Sequence, residues 1–295
     1  MTGLASDTDG PAFDTDGLGR WTEEDAFDVT RERIAQYAAA TNDPIPAHRA
    51  GEIAPPVFGI VPVFPSLIPA ALSVAPPELL GKLVHGEQDF VFHRPIRPGE
   101  RLVSRARPVG VDGKPAGTAV LVRTETRDVA GELVNEQWMT AFFRKVDAGS
   151  RTGESAPAHG FDEALRDVAP AAEVTGHVDD DQTFRYAEAA GDPMPIHLDE
   201  EMARASGLPG IIAHGLCTMA FTSWAVLTEL ARSDTARLRR LAVRFAKPVL
   251  PGQDLNTRIW RSGTEPGATT YAYETGAAGR TVIADGLAVL ADRTE

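Results

Sequence analysis

Two side chains that can exchange a proton, Asp192 and His197, lie five positions apart in the segment GDPMPIH, residues 191–197. Pro193 and Pro195 fix their own φ angles and bias the preceding residues towards extended conformations, which predicts a stiff loop. Histidine titrates near neutral pH, and a nearby carboxylate can orient its ring and stabilise the imidazolium. The spacing indicates an acid/base pair. The plain alternative is a helix end in which Asp192 caps a turn and His197 lies at the surface.

A second segment, His214-Gly215, opens an apolar stretch that runs to residue 231 without another glycine or proline. This pattern predicts a buried helix beginning at Gly215. The first N–H groups of a helix have no partner within it and carry partial positive charge, so they can bind an anion. Glycine suits such a position because no Cβ blocks the approach of a ligand to its backbone.

Together the two segments resemble the signature of the MaoC-like, R-specific enoyl-thioester hydratases, also called hydratase 2. That signature is an aromatic residue, small residues, Gly-Asp-x-Asn-Pro-aliphatic-His and, further on, His-Gly. The chain keeps Gly191, Asp192, Pro195, Ile196, His197, His214 and Gly215. It departs at Met194, where the family usually has an asparagine that is thought to steady the site by hydrogen bonding.

The resemblance implies a hydro-lyase that adds water to trans-2-enoyl thioesters of CoA or acyl carrier protein, or removes it from 3-hydroxyacyl thioesters. It implies His197 as the base for water, Asp192 as its orienting and proton-relaying partner, and the Gly215 N–H as the oxyanion donor. No cofactor is expected, and no metal, since no Cys/His cluster has the spacing of zinc ligands. His214, Met194 and Ser223 are candidates for supporting roles, although His214 could simply brace the loop and Ser223 could bond to its own backbone.

Basic side chains follow on a predicted strand. Arg240, Arg244 and Lys247 are the candidates for contacts with CoA phosphates, with neighbouring Arg239 on the same strand. The alternative is that they are exposed charges that only keep the surface soluble.

The signature loop has a weaker copy earlier in the chain. Residues 42–48 (NDPIPAH) match residues 191–197 at an offset of 149, and His93–Glu100 matches Ala246–Gln253 at an offset of 153. Two landmarks in the same order predict a duplicated fold. The copy keeps Asp43 and His48 but lacks the His-Gly, and Gly59 follows His48 by 11 residues where Gly215 follows His197 by 18. We therefore expect chemistry in the second half only, with Asp43 and His48 as a relic that caps a turn.

Prolines 62, 65 and 69 predict an irregular central segment near 57–70, which either lines a wide acyl tunnel or forms core. Strand-like runs then follow in both halves: 87–92, 101–109, 118–127 and 133–143, and 241–246, 255–261, 269–274 and 281–290. A helix wrapped by an antiparallel sheet is the hotdog fold, so we predict an α+β double hotdog. Its expected parts are a flexible tail (1–20), a degenerate first hotdog (21–146), a linker (147–170) and a MaoC-like second hotdog (171–295).

Composition excludes several classes of function. The net charge of −13 argues against a nucleic-acid partner. The sequence contains no run of 18 or more apolar residues, so no membrane-spanning helix is predicted. One cysteine, Cys217, rules out intrachain disulfides, and the start of the chain lacks a basic signal-peptide region, so a cytoplasmic protein is expected. The sequence leaves open whether the protein forms a homodimer. Two other functions also stay open: a non-catalytic thioester-binding hotdog, for which Met194 leaves room, and a hotdog thioesterase.

Overall fold

The computed structural model describes residues 13–293, and strands from both halves of this range form one antiparallel sheet. Its strand order is β1-β3-β4-β5-β2-β8-β11-β10-β9-β7, with the short β6 beside β3. The strands are β1 (Asp25–Asp28), β2 (Leu83–Phe92), β3 (Arg101–Lys114), β4 (Gly117–Asp128), β5 (Leu133–Arg144), β6 (Thr152–Gly153), β7 (Ala172–His177), β8 (Leu238–Phe245), β9 (Asp254–Glu265), β10 (Ala268–Ala277) and β11 (Arg280–Ala291).

The sheet is two copies of one motif joined edge to edge. Each copy is a strand, a helix, a central segment and four further strands, so that β1-β3-β4-β5-β2 mirrors β7-β9-β10-β11-β8. The copies meet where β2 pairs with β8, from Glu87 opposite Arg244 to Val91 opposite Arg240. The expected double hotdog is confirmed.

The helices are α1 (Arg31–Ala40), α2 (Pro46–Arg49), α3 (Phe64–Leu72), α4 (Gln182–Ala190), α5 (Glu200–Ala205) and α6 (Gly215–Ala231). Of the helices, α3 and α6 pack directly against this sheet. Thr30 caps α1 by accepting a hydrogen bond from the Arg33 N–H (3.2 Å). Within residues 13–293, no helix is long and apolar enough to cross a membrane.

Helix α6 is the central segment of the second half. Every residue from Leu216 to Leu227 is buried, because the helix is apolar nearly all round and β7, β8, β9 and β11 pack against it. It begins at Gly215 and ends at Ala231, and the following cap residue, Arg232, adopts the left-handed conformation (φ 54°). The prediction for this segment is confirmed to the residue.

The central segment of the first half is broken, but less than predicted. A 3-10 helix (Pro56–Ile60) is followed by a turn and then by α3. The expectation of an irregular chain as far as residue 70 was wrong for 64–72. Pro65 lies in the first turn of α3, where its missing N–H needs no partner, and Pro69 costs only one hydrogen bond within the helix.

The ends of the first half also differ from the expectation. Residues 1–12 of the predicted flexible tail lie outside the described residues, but residues 13–20 pack on the first half. The Phe13 ring meets Phe143 edge-on at 5.7 Å, and the Gly19 N–H donates to the Pro108 carbonyl (2.8 Å). Residues 147–170 connect β5 to β7, with the His159 Nδ1–H donating to the Asp285 carbonyl (2.7 Å). The domain boundaries at 146 and 171 stay a prediction.

Candidate active site

The loop after α4 holds the two predicted acid/base residues. Helix α4 ends at Gly191, whose φ of +75° is the left-handed conformation that favours glycine at a helix end. The Asp192 Oδ1 then accepts a hydrogen bond from the Met194 N–H (3.1 Å), and a 3-10 helix over Pro195–His197 follows. Backbone bonding and proline together fix where both side chains point.

His197 is held as a neutral base. Its Nδ1 lies 2.9 Å from the Ile212 carbonyl oxygen, which can only accept, so Nδ1 carries the proton and Nε2 keeps a free lone pair. The residue is 8% exposed, and burial lowers its pKa to about 4. At neutral pH the ring is therefore uncharged, with Nε2 able to take a proton.

Asp192 does not orient the His197 ring, contrary to the expectation from the sequence. The Ile212 carbonyl does so instead. The ligand atoms of Asp192 and His197 nevertheless lie within 4.8 Å of each other. One water can bridge such a gap, since two hydrogen bonds of about 2.8 Å span roughly 5 Å. Burial raises the pKa of Asp192 to about 6, so the carboxyl is poised to gain or lose a proton near neutrality.

His214 braces this pair. Its ring stacks on that of His197 with centroids 3.8 Å apart and planes 26° apart, and its Nε2–H donates to the Asp192 carbonyl (3.3 Å). Burial and the neighbouring His197 hold its pKa well below the usual range. Lone pairs of two nearly parallel rings cannot converge on one ion, so the cluster of Asp192, His197 and His214 does not fit a shared metal.

The Gly215 N–H opens α6 beside this pair. The helix's hydrogen bonding begins with the Thr218 N–H, which donates to the His214 carbonyl (3.1 Å), and the Gly215 N–H has no recorded partner among the described residues. A Cβ at this position would lie 3.1–3.3 Å from three atoms of the Phe245 ring. Close packing of Phe245 therefore favours glycine here, a reason that differs from the open approach for a ligand that the sequence suggested.

The two halves together form a cleft of about 580 Å³, including the space open at its mouth. The second half contributes Asp192, Met194, Ile196, His197 and Leu216, and the first half contributes Phe64, Leu67, Ile68, Leu83, Val84, His85, Met139 and Ala141. The segment 57–70 therefore divides between the two expected roles. Residues 64, 67 and 68 line the cleft, and residues 57, 58, 60, 61 and 63 are core.

Comparison with known proteins agrees with this geometry. Residues 164–282 match the family described as "MaoC like domain", and residues 17–137 match "FAS1-like, dehydratase domain region". The 3-hydroxyacyl-thioester dehydratase Y of Mycobacterium tuberculosis is 30% identical over 302 residues, covering 93% of this chain and 97% of that protein. The chain belongs to the MaoC-like dehydratase family.

Other relatives are longer or more distant. The peroxisomal multifunctional enzyme type 2 of Drosophila melanogaster is 31% identical over 232 residues, which cover 74% of this chain and 38% of that protein. The chain thus spans well under half the length of this multifunctional relative. A MaoC-like dehydratase from Phytophthora capsici shares the fold, with a TM-score of 0.80 at 20% identity over 95% of this chain and 98% of that one.

Several predicted residues of this MaoC-like chain lie away from the cleft. Ser223 is buried in α6, and its Oγ has no partner among the described residues. The Arg240 guanidinium is held by Asp89 (2.6–3.2 Å) and the Ala158 carbonyl (3.1 Å), so its expected contact with CoA phosphates is not supported. Arg244 is exposed and pairs with Asp285 (2.6 Å). Lys247 is exposed.

His85 is a cleft residue that the sequence did not indicate. It lies on β2 in the half without the acid/base loop, so no local motif marks it. The signal that could have revealed it is the internal repeat. At the offset of 153, His85 corresponds to Leu238, whereas a histidine needed only for the structure of the strand should recur in both halves.

The first-half copy of the acid/base pair is sealed. His48 is fully buried, with Nδ1 at 2.7 Å from the Asp43 carboxylate and Nε2 at 2.7 Å from the Thr235 Oγ1. The Asp43 Oδ1 accepts from the Ile45 N–H (2.8 Å), as a turn cap does. The central segment here opens at Pro56, and Gly59 lies within its 3-10 helix. Proline has no N–H, so the position that corresponds to Gly215 lacks the donor.

Proposed function

We propose that the chain adds water to trans-2-enoyl thioesters to give R-3-hydroxyacyl thioesters, and catalyses the reverse dehydration. The observation that carries this proposal is the neutral His197 Nε2, which lies close enough to the Asp192 carboxylate for one water to bridge them, with the Gly215 N–H at the start of α6. Family membership and the name of the M. tuberculosis relative, a 3-hydroxyacyl-thioester dehydratase, support it. A reaction of this kind needs a base, a proton donor for carbon and donors for an oxyanion.

The side chains can be assigned steps. A water lies between the Asp192 carboxylate and the His197 Nε2, and His197 removes one of its protons as the hydroxyl oxygen bonds to C3. The C2–C3 π electrons move towards the thioester, whose oxygen accepts a hydrogen bond from the Gly215 N–H while it carries enolate charge. The water's proton, held by His197 and relayed through Asp192, is then delivered to C2. Both parts of the water are thereby used, and no cofactor enters.

The walls of the cleft define the substrate class. Phe64, Leu67 and Ile68 of α3, together with Met139 on β5, give an apolar surface for the acyl chain. The thioester carrier is CoA or acyl carrier protein, which share the same pantetheine arm. Met194 adds an apolar side chain to the cleft, and its backbone N–H provides the hydrogen bond that Asp192 receives.

The test is hydration of crotonyl-CoA and longer enoyl-CoAs, followed by loss of the conjugated enoyl absorbance, with the configuration of the product determined by chiral chromatography. We expect His197→Ala and Asp192→Asn to lower kcat roughly 10²–10⁴-fold while the protein stays folded. Near-wild-type turnover in either variant would refute the assignment. Release of free CoA thiol without hydration would indicate a thioesterase, and binding without turnover a non-catalytic hotdog.

A matched pair of variants tests the oxyanion donor. Gly215 is the first residue of α6, where proline is tolerated, and His214 already has the extended conformation (ψ 134°) that precedes a proline. Gly215→Pro removes the N–H and Gly215→Ala keeps it, while both place a Cβ against Phe245. We expect kcat to fall a further 10²–10³-fold in the proline variant relative to the alanine variant. Equal losses in both would mean that packing, and not the N–H, matters here.

A further inference from the structure

His85 lines the cleft that also holds Asp192 and His197. Its ring meets Phe245 edge-on at 4.8 Å, and the Phe245 ring fills the space beside the Cα of Gly215. His85 and Gly215 thus both pack against the Phe245 ring. The neighbouring Gly86 and Phe245 also line a groove of about 1070 Å³, so His85 marks the place where the acyl cleft meets that groove.

The hydrogen bonds of His85 determine which of its nitrogens faces a ligand. Its Nε2 lies 3.0 Å from the Gln88 Oε1 and 3.2 Å from the Glu87 carbonyl oxygen. The Gln88 Nε2 donates to the Gln137 Oε1 (2.9 Å), and the Gln137 Nε2 donates to the Gly59 carbonyl (2.8 Å). This chain of buried amides fixes the Gln88 oxygen as an acceptor, so the His85 Nε2 carries the proton.

The other nitrogen of His85 is therefore a free acceptor. Nδ1 has no hydrogen-bond partner recorded among residues 13–293, and the side chain is partly exposed to the cleft. Burial lowers the pKa of His85 to about 4, so the ring is uncharged at neutral pH. A neutral acceptor at this place calls for a neutral N–H or O–H donor on the ligand.

The internal repeat separates a ligand-binding role from a structural one. Strands β2 and β8 carry a bulge at the same place, and His85 and Leu238 are the matching residues, 153 positions apart. Leu238 lines a small cavity together with Pro56 and Phe92, the counterparts of Gly215 and Phe245. The small cavity beside Pro56, which has no N–H, thus has Leu238 in place of the His85 acceptor, although the strand and its bulge persist. The two groups therefore serve the same ligand.

We propose that the His85 Nδ1 accepts a hydrogen bond from the pantetheine amide N–H closest to the thioester sulfur. This inference rests on the proposed function. The enoyl group and the thioester offer no donor, and this amide, two methylene groups beyond the sulfur, is the first N–H that CoA and carrier-protein substrates share. His85 is thus a binding residue that sets the position of the thioester carbonyl beside Gly215.

The experiment compares two small substrates in two proteins. Crotonyl-N-acetylcysteamine carries the amide, and S-(2-acetoxyethyl) thiocrotonate replaces its N–H by an ester oxygen. We expect wild-type kcat/KM to favour the amide about 10-fold, since that is the discrimination of one neutral hydrogen bond. In His85→Leu, which copies the other half, the ratio should fall to about one through loss with the amide alone. His85→Gln, which can present an acceptor, should restore part of the preference.

Each outcome decides the matter. A wild-type ratio near one overturns the inference, as does a His85→Leu variant that loses activity equally with both substrates, since that would be a structural effect. If His85→Leu does not fold, the wild-type ratio and His85→Gln carry the test. Hydration of both substrates without discrimination leaves the proposed function intact, whereas hydration of neither, nor of crotonyl-CoA, rejects the function itself. The pH profile of the folded variants should match that of the wild type, because His85 does not titrate in the working range.

Discussion

Replacing His48 by alanine removes two hydrogen bonds of 2.7 Å, one to the Asp43 carboxylate and one to the Thr235 hydroxyl. His48 is 0% exposed and Asp43 is 3% exposed, so the variant leaves the Asp43 carboxylate buried with only the Ile45 N–H as partner. Breaking a buried pair in this way costs roughly 3–5 kcal/mol. We expect His48→Ala to lose that much unfolding free energy while kcat per folded molecule changes less than about threefold, because His48 is absent from the cleft.

The same substitution at His197 should have the opposite profile. The neutral His197 ring makes one hydrogen bond, to the Ile212 carbonyl, and the loss of such a bond costs about 1 kcal/mol. Within residues 13–293, its Nε2 has no protein partner that the substitution would leave unpaired. We expect His197→Ala to change unfolding free energy by about 1–2 kcal/mol and to lower kcat roughly 10²–10⁴-fold.

Both quantities can be measured on the same samples. Urea unfolding followed by tryptophan fluorescence gives the free energy, and hydration of crotonyl-CoA below the unfolding transition gives kcat. Thr235→Val is the control, since it removes only the Nε2 partner of His48 and should cost about 1 kcal/mol with full turnover. Loss of turnover in His48→Ala with unchanged stability would show a working site in the first half. Loss in both variants without unfolding would show two sites or one composite site.

Three further predictions concern charge. We expect kcat/KM for hydration to fall below pH about 6, because the Asp192 carboxyl, whose pKa burial raises to about 6, must be ionised to hold the water; initial rates from pH 5 to 8 check this, and a flat profile contradicts it. The pKa of His197 is about 4 in the folded chain and about 6.5 unfolded, so the unfolded chain binds more protons between these values and stability falls on acidification. When the pH is lowered from 7 to 5, the unfolding free energy of His197→Ala, measured with urea, should therefore fall by about 2 kcal/mol less than that of the wild type. Arg240→Ala should cost roughly 3–5 kcal/mol, because it leaves Asp89 (2% exposed) unpaired, whereas removal of the exposed Arg244 should cost under about 1 kcal/mol; similar thermal shifts in the two variants would refute this contrast.

The sequence predicted most of what depends on local order. Glycine and proline mark where helices and strands stop, so the sequence alone could indicate that α4 ends before Gly191 and where α6 begins and ends. The eight predicted strands likewise begin and end within about five residues of their predicted bounds. The repeat of landmarks predicted two similar halves, because matching residues in the same order require matching elements. The prediction for α3 failed since a proline in the first turn of a helix is harmless, and sequence spacing alone does not say where a helix will start.

The residues that sequence reasoning missed are defined by contacts between distant segments. The partner that orients His197 is a backbone carbonyl, that of Ile212, which no side-chain pattern reveals. Arg240 is bound by Asp89 across the seam between the halves, 151 positions away, so its availability for phosphate could not be judged from neighbouring residues. His85 reaches the cleft from the opposite half, and its meaning becomes visible only when β2 is compared with β8.

The sequence changes that remove an active site from the first half also shape the cleft around His197. In the second half, 16 residues separate His197 from His214, and this longer loop contains α5 and carries the Ile212 carbonyl that orients the base. In the first half, Pro55 and Pro56 follow His48 almost at once, and the central segment breaks between residues 60 and 64. The break frees α3 to present Phe64, Leu67 and Ile68 as a wall of the cleft, where an unbroken copy of α6 would be buried on all sides. In the proposed mechanism, the first half therefore contributes the apolar wall and His85, and the chemistry takes place beside the first N–H of α6.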